Sequence, residues 1–175
     1  YVSMISELSE RESLNIRMQP MQRTLNKKGK LLTAGVDGVL NSIDLMTDEM
    51  ISKHMQNRAF SCITSKSDIL VLAQEGLNVI NILNLSDFSE IGFLKTKTPT
   101  VYIKIINNLM IVLNSAGEID FYSWPLGIRL SNLRTGIMGM IVNASWNKNF
   151  KAIFISTTRG RYMISLSNII DADYL

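Results

Sequence analysis

The chain has 175 residues, with 18 Lys+Arg against 15 Asp+Glu, one His, one Cys and 46% apolar residues. That length supports about one domain, the apolar content excludes a disordered chain, and a formal charge of +3 is too small to argue for a nucleic-acid surface. Lone Cys62 excludes a disulfide framework and a Cys-rich zinc site, and lone His54 leaves no partner for a histidine-ligated metal or an imidazole-based catalytic set.

In chain order, residues 1–14 carry Glu7, Glu10 and Glu12, with neither a basic start nor an apolar core, so they do not read as a signal peptide. Tyr1 in place of an initiator Met fits an internal piece of a longer protein. Residues 6–18 fit a helical turn or two, or an extended strand from a preceding unit. No apolar run reaches the length of a membrane-spanning helix. From residue 18 onward the period is that of strands. Strands are expected at 18–25, 59–64, 100–106 and 138–144. Each is followed by an apolar run, a small or polar pair ending in Gly, and a second β-rich run: Leu31 to Asp44, Ile69 to Ile80, Met110 to Tyr122 and Ala152 to Ile164. Further strands are expected at 50–54, 90–95 and 128–133, and residues 168–175 either supply a fourth one or begin a linker.

The hairpin glycines are Gly38, Gly76, Gly117 and Gly160, spaced by 38, 41 and 43 residues. A tight turn that matches strand twist needs positive φ, which glycine adopts at no steric cost. Asp37-Gly38 is the strongest such signal. Four strands recurring about every forty residues resemble the blades of a WD-type β-propeller. Ile43-Asp44, six positions beyond Gly38, stands where Trp-Asp would; the corresponding positions Ile82, Ser123 and Leu166 depart from that pattern. The expected fold is therefore all-β, a WD-type propeller fragment of about four four-stranded blades at 17–57, 58–98, 99–136 and 137–175. The last range includes the start of a C-terminal tail, and residues 1–16 form the connection or outer strand of a preceding blade. A β-sandwich or other meander is the competing architecture. Four blades would leave an open arc with two apolar faces, so the remaining blades are expected from the same longer chain, or else from a partner.

The stretch from Gly117 through Phe121-Tyr122-Ser123-Trp124-Pro125-Leu126 to Gly127 resembles the penultimate blade of the cilia- and flagella-associated WD-repeat proteins, in which an aromatic strand end is followed by Pro-Leu. A final blade with an apolar–Gly–apolar hairpin, Phe154 to Ile164, then follows, with Ile137/Met138 and Arg159-Gly160 where the family usually has His and Asp-Gly. The resemblance implies paired propellers followed by a coiled coil, and a scaffold role in the ciliary axoneme near dynein complexes and doublet microtubules. Independently of it, Pro125 has no N–H for a ladder and should end its strand.

No residue set points to chemistry. His54 falls in an expected outer strand and reads as a solvated edge residue. Cys62 reads as a small buried hydrophobe. Asp48/Glu49 and Asp171/Asp173 fall in expected loops or tails. Gly35-Val36-Asp37-Gly38 lacks the following helix that a phosphate site needs. No catalytic residue, cofactor site or metal site is assigned. Lys27, Lys28 and Lys30, with Lys95, Lys97 and Lys104, would form a phosphate- or acid-binding rim if their loops converged; otherwise they keep a β-protein soluble. Trp124 reads as core. Trp146, in the loop-like 143–149, is the stronger candidate for surface contact. Met138, Met140 and Met163 are expected to fill gaps between blades. The leading function is a non-enzymatic protein-interaction scaffold in a large cytoplasmic complex. The alternative is a nucleic-acid-associated propeller of an RNA-processing or ribosome-related complex, and a channel-centred propeller enzyme ranks third because the inner strands, Lys104 apart, are apolar. No membrane partner is expected.

Overall fold

The computed structural model describes residues 16–18, 21–25 and 30–170, and over these the chain is all-β: a propeller-like array of four antiparallel sheets. Sheet 1 contains β1 (Ile16–Met18), β2 (Met21–Leu25), β3 (Lys30–Ala34), β4 (Val39–Asp44) and β5 (Met50–His54). Sheet 2 contains β6 (Phe60–Lys66), β7 (Ile69–Gln74), β8 (Val79–Asn84) and β9 (Glu90–Lys95). Sheet 3 contains β10 (Thr100–Ile106), β11 (Leu109–Asn114), β12 (Glu118–Ser123) and β13 (Arg129–Arg134). Sheet 4 has three strands, β14 (Ile141–Asn147), β15 (Ala152–Thr157) and β16 (Arg161–Ser165), and then a single helical turn, α1 (Ser167–Ile170). Within each sheet, spatial order follows chain order. Between sheets, β2, β6, β10 and β14 are the successive neighbours, so the first full strand of each unit lies innermost.

Side chains on the two faces of each strand explain the stacking, because successive residues point to opposite sides. Leu32, Ala34 and Leu40 of sheet 1 meet Ile63, Leu70, Leu72, Leu83 and Phe88 of sheet 2. Cys62, Val71, Ala73 and Ile80 on the other side of sheet 2 meet Ile103, Met110, Val112, Tyr122 and Trp124 of sheet 3. Leu109, Ile111, Leu113, Ile119 and Phe121 meet Ile153, Ile155 and Leu166 of sheet 4. The middle strands β7 and β11 are covered on both faces and are apolar almost throughout, as the sequence runs ILVLA and LMIVL require. Each fully buried aliphatic side chain here contributes about 1.5–3 kcal/mol of transfer free energy.

Three local devices recur. The first strand of sheets 2, 3 and 4 carries a bulge at its second residue, Ser61, Val101 and Val142. The outer turn closes identically three times: the amides of Asp48, Phe88 and Gly127 donate to the carbonyls of Asp44, Asn84 and Ser123, and these three left-handed residues have φ of 56°, 56° and 69°. Asp44, Asn84 and Ser123 also accept bonds through their side chains, from Met46, Ser86 and Ile128 amides at 2.9, 2.9 and 3.1 Å. Finally, the amides of Leu85, Trp124 and Leu166 donate to the carbonyls of Asp68, Asn108 and Lys151, at 2.8, 2.7 and 2.8 Å, tying each outer end to its own first hairpin.

Several sequence expectations need correction. The strand expected at 18–25 is two strands, β1 and β2, paired as a hairpin with Met18 opposite Met21. The strand expected at 138–144 begins three residues later, because Gly136 and Gly139 take φ of 70° and 86° and keep that stretch out of the ladder. Residues 168–170 lie in α1 rather than in a fourth strand, and 171–175 lie outside the described residues. Gly38, Gly76 and Gly117 have φ of 76°, 72° and 78°, but Gly160 does not share this conformation. In that turn the Thr157 hydroxyl accepts from the amides of Arg159 and Gly160, both at 3.1 Å, and organises the bend without a left-handed glycine. Of the expected connection at residues 1–16, only Ile16 lies among the described residues.

Candidate functional site

Among the described residues, no three His, Cys, Asp or Glu side chains gather in a way that could hold a metal ion. His54 is exposed at the end of β5, and Cys62 is buried between sheets 2 and 3, in no disulfide. Asp48 is exposed at a left-handed turn position, beside exposed Glu49; Asp171 and Asp173 lie outside the described residues.

The buried polar groups serve packing. Asp120 is 4% exposed, and its Oδ1 accepts from Arg129 Nε at 2.9 Å and Asn132 Nδ2 at 3.0 Å, with a further contact to Arg129 Nη2. The carboxylate bonds and charge of Asp120 push the Arg129 guanidinium further towards its charged form. Tyr122 beside it is pushed above the usual phenol range, first by burial and then by the Asp120 charge. This clamp holds β13 to β12, and Asp120→Ala should lower Tm by about 2–4 °C in a thermal melt, since it removes the shared acceptor of the charge-assisted bonds from Arg129 and Asn132. Gln74, 1% exposed, donates from Nε2 to the carbonyls of Gln56 and Arg58 at 2.8 and 3.0 Å, fastening sheet 2 to the connection from sheet 1. Ser61 Oγ donates to the Thr100 carbonyl at 2.6 Å across sheets 2 and 3.

Tyr102, between sheets 3 and 4, is raised well above its ordinary value of 10.0 mainly by burial. A phenol neutral when folded and ionised when unfolded contributes stability in full below about pH 10, and that stability falls as pH rises above this value. Urea midpoints should therefore drop above pH 10, and the drop should be smaller in Tyr102→Phe.

The lysines do not converge. Lys30 opens β3, whereas Lys95 closes β9 and Lys97 follows it; these positions lie at opposite ends of their sheets. Lys104 lies within inner strand β10, half-buried. Lys27 and Lys28 lie outside the described residues. Trp146 is not in a loop: it sits in β14 opposite Ile153, packed against the core between sheets 3 and 4. Trp124 is core, 8% exposed.

Sheet 4 carries the surface that distinguishes this chain. Strand register equates its rungs with those of sheet 3: Leu113–Ile119 corresponds to Ser156–Arg161, and Ile111–Phe121 to Phe154–Met163. Tyr102 corresponds to Asn143, which is exposed. The face that in sheet 3 is buried and apolar is thus a mixture in sheet 4: Asn143, Ser145 and Arg161 are exposed alongside Phe154 and Met163. The array ends on this side in a face of mixed polar and apolar side chains. Phe150 packs edge-on against Phe154, with centroids 6.2 Å apart. Met138, Met140 and Met163 are 62%, 69% and 56% exposed, so they do not fill gaps.

No family model and no curated protein matches the sequence. Many solved structures share the fold, two computationally designed proteins among them. The computationally designed Ika8 protein superposes with a TM-score of 0.63 at 10% identity, over 86% of this chain and 57% of that one. The chain thus spans little more than half the length of Ika8. The computationally designed Ika4 protein superposes with a TM-score of 0.62 at 14% identity, over 79% of this chain and 87% of that one. At such identities the likeness concerns the path of the backbone and nothing more.

Sequence reasoning passed over two features. One is the mixed polar and apolar face of sheet 4, which shows only after each rung is aligned with sheet 3. The other is the acid-free run of residues 121–170, which holds Arg129, Arg134, Lys148, Lys151, Arg159 and Arg161 and no Asp or Glu; a charge count by segment would have found it.

Proposed function

We propose that this chain is a non-enzymatic protein-interaction scaffold, a WD-type propeller segment of a larger protein within a multiprotein assembly. The observation that carries this reading is the concentration of exposed apolar side chains on and beside the last sheet: Met138, Met140, Phe150, Phe154 and Met163. Methionine and phenylalanine held out of a core on a rigid sheet are adaptable contact groups. The likeness of Gly117–Gly127 to the cilia- and flagella-associated WD-repeat proteins supports the axoneme, near dynein complexes and doublet microtubules, as that assembly. The separation of Lys30 from Lys95 and Lys97 weighs against the nucleic-acid-associated alternative. In an affinity purification from ciliated cells, the full-length parent protein should bring down axonemal proteins at stoichiometric levels. Met138→Asp with Met140→Asp should reduce that recovery several-fold while leaving the circular dichroism spectrum unchanged. Recovery without any partner, or unchanged recovery with the double variant, would count against the reading.

A further inference from the structure

Strand β16 ends its sheet, and among the described residues no strand pairs with its outer side. In the other three sheets that place is filled by β5, β9 and β13. The hydrogen bonds from Thr157 N–H to the Gly160 carbonyl and from Leu166 N–H to the Lys151 carbonyl fix the phase of the β15–β16 ladder. Antiparallel alternation then turns Tyr162 and Ile164 towards β15, and the backbone N–H and C=O groups of Arg161, Met163 and Ser165 outward. Such a row is a template for a further strand.

Charge states what kind of strand. In sheet 3 the third strand carries the acids and the fourth the cations: Asp120 meets Arg129, and Glu118 Oε1 lies 3.3 Å from Arg134 Nε. In sheet 4 the third strand carries no acid: Gly160 and Tyr162 stand at the rungs of Glu118 and Asp120, exposed Arg161 opens the strand, exposed Arg159 lies in the turn before it, and residues 121–170 hold no Asp or Glu.

We propose that β16 accepts an extended acidic segment of a partner protein, which adds antiparallel as the fourth strand of sheet 4 and sets its carboxylates against Arg161 and Arg159. By the precedent of β12 and β13, the C-terminal end of the incoming segment lies beside Arg161. Alternate side chains of the segment supply carboxylates on the exposed face, which carries Arg161 together with Met163 and Phe154, and apolar contact on the opposite face, where Tyr162 and Ile164 pack towards sheet 3. This deepens the scaffold reading and rests on it.

The test uses the full chain and a short blocked peptide alternating Glu with Val, read by amide hydrogen exchange. The peptide should slow exchange at Arg161, Met163 and Ser165 by about tenfold or more, and should bind less tightly as salt rises. The matching Lys/Val peptide should give no protection. Arg159→Glu with Arg161→Glu, both exposed and so foldable, should exchange the preference, losing the Glu/Val peptide and gaining the Lys/Val one. Met163→Pro, which deletes an outward N–H and no ladder bond, should abolish both. Absent protection, an unchanged preference in the charge-reversed chain, or equal protection by an oligonucleotide of the same charge would overturn the proposal. In affinity purification, loss of partners from the charge-reversed protein supports the edge. Retention of all of them overturns the edge and leaves the scaffold reading standing, whereas a wild-type protein with no partner overturns both.

Discussion

Phe121→Ala should destabilise the fold by about 3–5 kcal/mol. Phe121 is 1% exposed on β12 and packs in the core shared by sheets 3 and 4. Truncation removes a ring from a core shared with Ile111 of β11 and with Ile153 and Ile155 of β15, strands of two different sheets that have little freedom to close the void. The cost should appear as a lower urea midpoint. Phe154→Ala on sheet 4, whose ring is 37% exposed, should cost well under half as much. Equal costs would mean that sheets 3 and 4 do not share the core described.

Gly38→Ala should be the most damaging glycine substitution. Gly38 has φ of +76°, and a Cβ there would lie 2.0 Å from the carbonyl oxygen of Gln56, a backbone atom in the connection to sheet 2. Left-handed strain of about 1–2 kcal/mol is therefore joined by a forced backbone shift, for a total of at least about 3 kcal/mol. Gly76→Ala provides the control. Its φ of +72° is similar, but the Cβ meets only Arg58 Nη1, at 3.0 Å, the far end of a mobile side chain. Urea titrations of the two variants should place Gly38→Ala clearly below Gly76→Ala. The reverse order would contradict the packing of the inner hairpin of sheet 1 on its connection.

The architecture was legible in the sequence for a definite reason. Strands covered on both faces, such as β7 and β11, must be continuous apolar runs, and three hairpins place glycine, at Gly38, Gly76 and Gly117, where φ is positive. The recurrence of both makes the four-sheet organisation visible. Gly160 shows the limit of that signal: a threonine hydroxyl can organise the same bend, so a glycine at the right period need not be doing so. The more regular marker was elsewhere. The outer turns opened by Asp44, Asn84 and Ser123 are spaced by 40 and 39 residues and share one hydrogen-bonding scheme, yet their left-handed positions hold Asp48, Phe88 and Gly127, three chemically unlike residues. A search keyed on glycine sees one of the three. Trp146 was misplaced for a similar reason: the polar neighbours Asn143, Ser145 and Asn147 look like a loop, but in β14 they occupy one face while Ala144 and Trp146 occupy the other. The proposed contact surface was hardest to read. Met138, Met140 and Met163 stand among apolar neighbours in the sequence, and no local pattern marks them as the exposed side chains they are.

Among the described residues, each of the three cores joins one pair of adjoining sheets, and sheet 4 is held to the remainder by one of them. Under tension applied between the two termini, such a molecule should yield as separate leaves peeling away in turn. Each release would be comparable in length and set by a single interface, so a pulling trace should resemble a short staircase.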